Sequence, residues 1–114
     1  MAKHVMLVSI NAAAGRDAEF NDWYDKVHLK EVLALPGFVA AQRFKLSDAQ
    51  MPWGDPPPHK YLTVYEIDGD PAALIAKLTS PETAKNMTVS DSSDVNTAVV
   101  RMFTAVGPYT KAAR

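Results

Sequence analysis

The stretch EFNDWYDKVHLKEVLALPGF, residues 19–38, carries the clearest structural signal in the chain. Within it, Phe20, Trp23, Tyr24 and Val27 recur at the spacing of one helical face. The positions between them are mostly polar or charged, as on the outer face of an amphipathic helix. The pattern therefore predicts a helix whose aromatic face packs against the body of the protein.

Both ends of this helix have sequence signals. Asp17 is a candidate N-cap, because an aspartate side chain accepts hydrogen bonds from the free amides of a first turn. The helical spacing weakens over residues 29–35, where we expect only a short second turn at residues 31–34. Pro36 and Gly37 then predict a stop.

Four other segments have the composition of β-strands. Residues 3–11 carry β-branched and apolar side chains on both alternating faces, which is typical of a central strand. Residues 38–46 and 60–68 alternate with the two-residue period of a strand, and residues 97–109 do the same. We therefore expect four strands.

The segments between these strands have clear breakers. The proline-rich residues 47–59 cannot enter a strand ladder or a helix interior, and they predict a long exposed connection. Asp70 is a candidate N-cap and Pro71 suits the first position of a second helix, which we expect to end at Thr79 or one residue later. Residues 81–96 are polar and predict little beyond one turn of helix.

The order strand, helix, strand, strand, helix, strand is the split βαβ pattern of a ferredoxin-like sandwich. The sequence thus predicts one α+β domain, residues 1–114, with an antiparallel sheet. Two helices cover only one face of such a sheet, yet the strands carry apolar side chains on both faces. A second copy of the chain is expected to cover the other face, which makes a homodimer.

Composition narrows the classes of function. The chain has 47% apolar and 22% charged residues, a formal net charge of −1 and no cysteine. Without a basic patch we expect neither nucleic acid nor a membrane as a partner, and without cysteine we expect no disulfide or thiolate metal site. No stretch has the length of a membrane span or the pattern of a signal peptide, so we expect a cytoplasmic protein. No metal or phosphate-binding motif is present, and we expect no cofactor.

Two adjoining motifs, EFNDWYDKVHL at residues 19–29 and EVLALPGF at residues 31–38, resemble the EthD-like proteins of the dimeric α+β barrel superfamily. Weaker similarity covers nearly the whole chain, including residues 61–66 and 87–91. The resemblance implies two ferredoxin-like sheets that face each other, with a pocket in each subunit between its sheet and its helices. One departure is Lys30, where relatives favour proline.

The functions in this superfamily are diverse. They include cofactor-free monooxygenases, polyketide cyclases, lactone isomerases and dehalogenating or decarboxylating enzymes, beside members with no assigned reaction. The resemblance therefore implies a fold more firmly than it implies a reaction.

His28 is the candidate catalytic residue. Imidazole exchanges protons near neutral pH without a cofactor, and helical spacing puts His28 on the inward side with Tyr24. The resemblance adds that similar enzymes of the superfamily have a histidine on this helix. The structural alternative is a histidine that hydrogen-bonds a backbone carbonyl or a carboxylate.

Four aromatic residues are candidates for substrate binding. Trp23 and Tyr24 can line an apolar pocket, although two aromatic residues at helical spacing are also typical of plain core. Tyr61 and Tyr65 share one face of a predicted strand and could point toward the helices or across the dimer. If they face the helices, we expect them within reach of His28.

Arg43 is a further substrate-binding candidate, for a carboxylate. Arg43 and Glu66 fall on neighbouring predicted strands, and we expect both on the face opposite the helices. A cross-strand ion pair between them is the structural alternative. For Asp91 and Asp94 we expect helix or turn capping rather than metal binding.

These residues support two functional hypotheses of different classes. The first is a cofactor-independent enzyme of isomerase, cyclase, decarboxylase or monooxygenase type, acting by proton transfer on a small apolar, aromatic or polyketide-like metabolite. The second is a non-catalytic protein that holds a small hydrophobic ligand or assists a partner enzyme. A third reading is that these residues serve only the core and the dimer.

Overall fold

A four-stranded antiparallel sheet forms one layer of the protein, and helices form the other. The computed structural model describes residues 3–114. The strands are β1 (His4–Ala12), β2 (Phe38–Lys45), β3 (Tyr61–Ile67) and β4 (Ser93–Thr104). Their order across the sheet is β2-β3-β1-β4, and every neighbouring pair is antiparallel. The predicted ferredoxin-like α+β fold is confirmed.

The helical layer comes from two segments of the chain. The helices are α1 (Asp17–Trp23), a π turn (Tyr24–His28), α2 (Leu29–Leu33), α3 (Pro71–Leu78) and α4 (Pro81–Asn86). The first three run on without a break, so the first helix is longer than the sequence predicts. No helix within residues 3–114 is long and apolar enough to cross a membrane.

The two predicted helix caps have different outcomes. The Asp70 carboxylate accepts a hydrogen bond from the Ala72 amide at 3.1 Å and Pro71 is the first helical residue, as predicted. Asp17 does not cap α1, because it is already helical and Arg16 occupies the cap position. The Asp17 carboxylate instead accepts a hydrogen bond from the Tyr61 hydroxyl on the sheet.

The last strand lies earlier in the chain than predicted. It begins at Ser93 rather than Thr97 and ends at Thr104 rather than Tyr109. The register of its pairing with β1 shifts partway along the strand. Val99 pairs with Ser9, but Asn11, only two residues further along β1, pairs with Asp94. Polar residues thus take part in the ladder, and the sequence pattern of an apolar strand misses them.

The core lies between the sheet and the helices. Tyr65 of β3 is fully buried there, as are Phe20 and Tyr24 of the helical segment. Tyr61 is also buried on this side, so both strand tyrosines face the helices. The long connection between β2 and β3 contains no helix or strand, as predicted, and its Trp53 is exposed.

A β-bulge in β2 points Arg43 to the face of the sheet opposite to the predicted one. Phe38 pairs with Ile67 and Ala40 with Glu66, so Val39 is an extra residue that reverses the alternation beyond it. Arg43 therefore lies on the helix side, opposite Thr63. The expected pairing of Arg43 with Glu66 is wrong.

We predict that Gly37→Ala destabilises the protein more than Gly69→Ala. Both glycines have a positive φ, 96° and 112°, which an alanine adopts only with strain. At Gly37 an added Cβ would also clash with the Leu74 side chain and lie 3.2 Å from the Asp68 carbonyl oxygen, whereas it meets nothing within 4 Å at Gly69. We expect Gly37→Ala to cost at least about 1 kcal/mol more in urea unfolding, since overpacking adds to backbone strain. Equal losses would contradict this packing.

Candidate functional site

A cavity of about 690 Å³ lies between the sheet and the helices. Its walls come from β1, β3, β4 and the helical segments, and most of them are apolar, including Met6, Val32, Val100 and Met102. For Met6, Val100 and Met102 the sequence signal is the alternation of β1 and β4, which does not by itself mark a site. Four predicted site residues also line the cavity: Trp23, Tyr24, His28 and Tyr65.

The π turn positions three of these four side chains. Its hydrogen bond runs from the Leu29 amide to the Tyr24 carbonyl, five residues back, so side chains five apart come together. The Trp23 indole stacks on the His28 imidazole with ring centres 4.9 Å apart and 24° between the planes. The Tyr24 ring meets the same imidazole edge-on at 4.8 Å. The imidazole is thus fixed between two aromatic rings.

The surroundings of His28 favour its neutral form. Burial lowers the pKa of His28 below its ordinary value of 6.5; the charge of Glu31 raises it and that of Arg43 lowers it, both less strongly. The His28 Nδ1 atom is buried and has no hydrogen-bond partner within residues 3–114. Glu31 is occupied elsewhere, because its carboxylate accepts from the Thr88 amide at 2.9 and 3.0 Å.

Two tyrosine hydroxyls meet at the wall of the cavity. The Tyr24 and Tyr65 oxygens are 3.2 Å apart, and both residues are almost completely buried. Burial raises the pKa of Tyr65 far above its ordinary value of 10, and Tyr24 adds to the rise. Tyr65 therefore keeps its proton at any physiological pH.

Arg43 lies behind Tyr24 rather than in the main cavity. Its Nη1 donates to Asp25 Oδ1 at 2.9 Å and its Nη2 to Asn21 Oδ1 at 2.8 Å. The guanidinium carbon stands 4.4 Å from the centre of the Tyr24 ring, in the geometry of a cation–π contact. Arg43 instead lines a second cavity of about 480 Å³.

Tyr61 also lines this second cavity. Its hydroxyl donates to Asp17 Oδ2 at 2.7 Å and accepts from Asn21 Nδ2 at 3.2 Å. The structure therefore separates the predicted binding residues into two groups. His28, Trp23, Tyr24 and Tyr65 surround one cavity, while Tyr61 and Arg43 border the other.

The acidic residues of the segment SDSSD, residues 90–94, make local contacts. Asp91 pairs with Arg16 at 2.8 Å, and the guanidinium lowers the pKa of the Asp91 carboxyl. Asp94 accepts a hydrogen bond from Thr97 Oγ1 at 2.8 Å. Within the described part of the chain no group of three or more acidic, histidine or cysteine residues could hold a metal ion.

Comparison with solved structures identifies the fold. No family model matches the chain, and no curated protein does. A dimeric ferredoxin-like protein of unknown function from Jannaschia sp. CCS1 matches with a TM-score of 0.60 and 15% identity, over 89% of this chain and 97% of that one. An ethyl tert-butyl ether D (EthD) family protein from Bacillus halodurans C-125 matches with a TM-score of 0.53 and 14% identity, over 95% and 100%.

This chain has the fold of the EthD family protein. HapK from Hahella chejuensis has the same arrangement, with a TM-score of 0.53 and 20% identity over 98% of this chain and 100% of HapK. At these identities the likeness concerns the fold alone. The cavity of this chain therefore has to be interpreted from its own residues.

We predict that His28 titrates below pH 6.5. Its imidazole is desolvated, so protonation is less favourable in the folded chain than in the unfolded chain. Ring resonances followed by NMR across pH 4–8 measure this pKa, and their loss in His28→Gln assigns them. A midpoint at or above 6.5 would contradict the buried environment.

The same shift predicts a pH dependence of stability. The unfolded chain binds a proton at His28 near pH 6.5, whereas the folded chain binds it only at lower pH. As the pH falls from 6.5 to the folded-state pKa, wild type should therefore lose stability relative to His28→Gln. Urea unfolding at pH 7.5 and pH 5 measures the difference, and a difference that does not change with pH would be inconsistent with the shift.

Proposed function

We propose that this chain is a cofactor-independent enzyme in which His28 moves a proton on a small apolar or aromatic carbonyl compound. The observation that carries the proposal is a neutral, desolvated imidazole on the wall of an apolar cavity. A neutral imidazole has a free lone pair and accepts a proton directly from a bound molecule. Isomerisation and cyclisation contain such a step, and decarboxylation needs the reverse one, a proton delivered to the carbon that has lost carbon dioxide.

The cavity suits a ligand of one or two rings. Its volume of about 690 Å³ lies within the ordinary range of small-molecule sites. Apolar walls favour the skeleton of such a ligand, whereas a strongly charged molecule would lose its hydration without compensation. Arg101 lines the cavity as a charged side chain, but it is exposed to solvent.

A binding protein without activity is the second candidate. The observation in its favour is that most of the cavity wall is apolar, so it could hold a hydrophobic ligand without any chemistry. The two candidates differ in the role of His28. An enzyme needs its imidazole, while a binding protein needs only the volume and the walls.

We predict that the protein accelerates exchange of the α-hydrogens of 2-tetralone in D₂O. This ketone has two fused rings and an acidic C–H beside its carbonyl, so it reports proton transfer whatever the natural substrate is. Positioned general-base catalysis contributes roughly 10²–10⁴-fold, and His28→Gln should lose at least about 10²-fold. Mass spectrometry of the recovered ketone measures the exchange rate.

A matched histidine serves as the control. His59 lies in the long connection, where its Nε2 contacts the Thr97 carbonyl at 2.6 Å, and it does not line the cavity. His59→Gln should keep the wild-type exchange rate. Exchange no faster than in buffer, or exchange that persists in His28→Gln, would contradict the enzyme hypothesis. The non-catalytic binding protein would then be the remaining candidate.

Ligand binding can be followed apart from catalysis. The chain has two tryptophans, and Trp53 lies in an exposed loop while Trp23 lines the cavity. In a Trp53→Phe background the fluorescence of Trp23 therefore reports occupation of the cavity. A His28→Gln variant that still binds 2-tetralone but no longer exchanges its hydrogens would locate the defect in the chemical step.

We also propose that two copies of the chain pair through the open face of the sheet. No helix within the described residues covers this face, and Phe44 and Phe103 on it are 45% and 52% exposed. The register assigns the following apolar residues to it: Val5, Leu7, Phe44, Leu62, Val64, Val99 and Phe103. The similar protein from Jannaschia is described as dimeric, which supports a dimer here.

We predict that Val64→Lys dissociates this dimer. Val64 lies on β3, an inner strand, and a lysine there would bury an unpaired charge between two sheets. Light scattering at micromolar concentration should give the mass of two chains for wild type and of one chain for the variant. Val89→Lys is the control, because Val89 is 83% exposed outside any strand. A monomeric wild type would contradict the pairing.

A further inference from the structure

We propose that the Tyr24–Tyr65 hydroxyl pair binds the carbonyl oxygen of the substrate and stabilises it as an oxyanion while His28 holds the proton. The inference rests on the proposed function and deepens it, because it names a substrate class. That class is an apolar or aromatic skeleton that carries an enolisable carbonyl group.

The number of hydroxyl hydrogens at the pair is the first argument. Each tyrosine hydroxyl has one hydrogen to donate, and the two oxygens share one hydrogen bond of 3.2 Å. Whichever tyrosine donates in that bond, the hydrogen of the other is left over. Within residues 3–114 the structure gives neither hydroxyl another partner, so one hydrogen is available to a ligand.

Burial makes this spare hydrogen significant. Tyr24 is 1% exposed and Tyr65 is 0% exposed, so bulk water does not satisfy the remaining donor. A buried donor without an acceptor is costly, and a side-chain movement that opens the pair to the cavity lets a ligand oxygen remove the cost. Both tyrosines line the cavity that His28 lines, so one bound molecule can meet all three side chains.

The charge of Arg43, although paired with Asp25, favours a negative oxygen at this place, whereas burial opposes any charge there. The Arg43 guanidinium, which extends from β2 on the helix side of the sheet, lies over the Tyr24 ring. Its charge acts to lower the pKa of both His28 and Tyr65. Burial raises the pKa of Tyr65, so this hydroxyl stays protonated and remains a donor. A fixed donor near a positive charge in an apolar cavity is the arrangement that stabilises a developing oxyanion.

The chemical step is a balanced proton transfer. The C–H bond beside the carbonyl breaks and its proton goes to the His28 imidazole. The electron pair forms a C=C bond as the C=O bond becomes C–O⁻, and the oxygen accepts the hydrogen bond of the tyrosine pair. Return of the proton to carbon completes an exchange or an isomerisation, and no oxidant or reductant is needed.

The test compares two ligands of the same skeleton. 2-Tetralone has the carbonyl oxygen, and tetralin is the hydrocarbon without it. Calorimetric titration of both into the Tyr24→Phe/Tyr65→Phe double variant should show about tenfold weaker binding of 2-tetralone than in wild type, since one good hydrogen bond is lost. Binding of tetralin should stay within about twofold of wild type, which also shows that the cavity is intact.

Single variants and a matched control complete the design. Tyr24→Phe and Tyr65→Phe each keep one hydroxyl, so each should lose less 2-tetralone affinity than the double variant, and they remain informative if the double variant does not fold. Tyr61→Phe removes a hydroxyl that donates to Asp17 outside this cavity, and it should leave both affinities unchanged.

The outcomes separate this inference from the proposed function. If the tyrosine variants lose affinity for 2-tetralone and tetralin equally, or for neither, the role of the tyrosine pair is overturned. Hydrogen exchange that depends on His28 would still support the proposed enzyme. Failure of wild type to bind either ligand would overturn both. A selective loss of 2-tetralone affinity in the tyrosine variants supports carbonyl binding by the pair, even if His28→Gln exchanges the hydrogens of 2-tetralone at the wild-type rate.

Discussion

The stacking of the Trp23 indole on the His28 imidazole is the contact on which the site depends. In an ordinary α-helix, residues five apart do not lie above one another, and the two rings would point in different directions. The π turn brings them together, while Tyr24, four residues before His28, meets the imidazole edge-on at ordinary helical spacing. A flexible histidine thereby becomes a fixed one, which a positioned acid or base requires.

The β-bulge in β2 supplies the electrostatic part of the same arrangement. By inserting Val39 it turns Arg43 toward the helices, where Asp25 and Asn21 hold the guanidinium over the Tyr24 ring. The charge is paired, yet it still disfavours protonation of His28. Two local irregularities, one in a helix and one in a strand, thus act on a single group of aromatic and imidazole rings.

Much of the fold could be predicted from the sequence because it depends on apolar periodicity. The order of elements, the Asp70 cap and the inward side of His28 follow from spacing alone. The π turn and the bulge do not, because each inserts one residue into a regular pattern and no residue type marks it. The sequence therefore could not predict on which side of the sheet Arg43 lies, or that Arg43 is separate from the main cavity.

The structure of the protein with 2-tetralone bound tests the central claim most directly. The account predicts the ketone in the main cavity, with its oxygen within about 3.2 Å of a Tyr24 or Tyr65 hydroxyl and its α-carbon facing His28. A ketone that binds instead in the second cavity, beside Arg43 and Tyr61, would contradict it. So would a ketone whose oxygen points away from both hydroxyls.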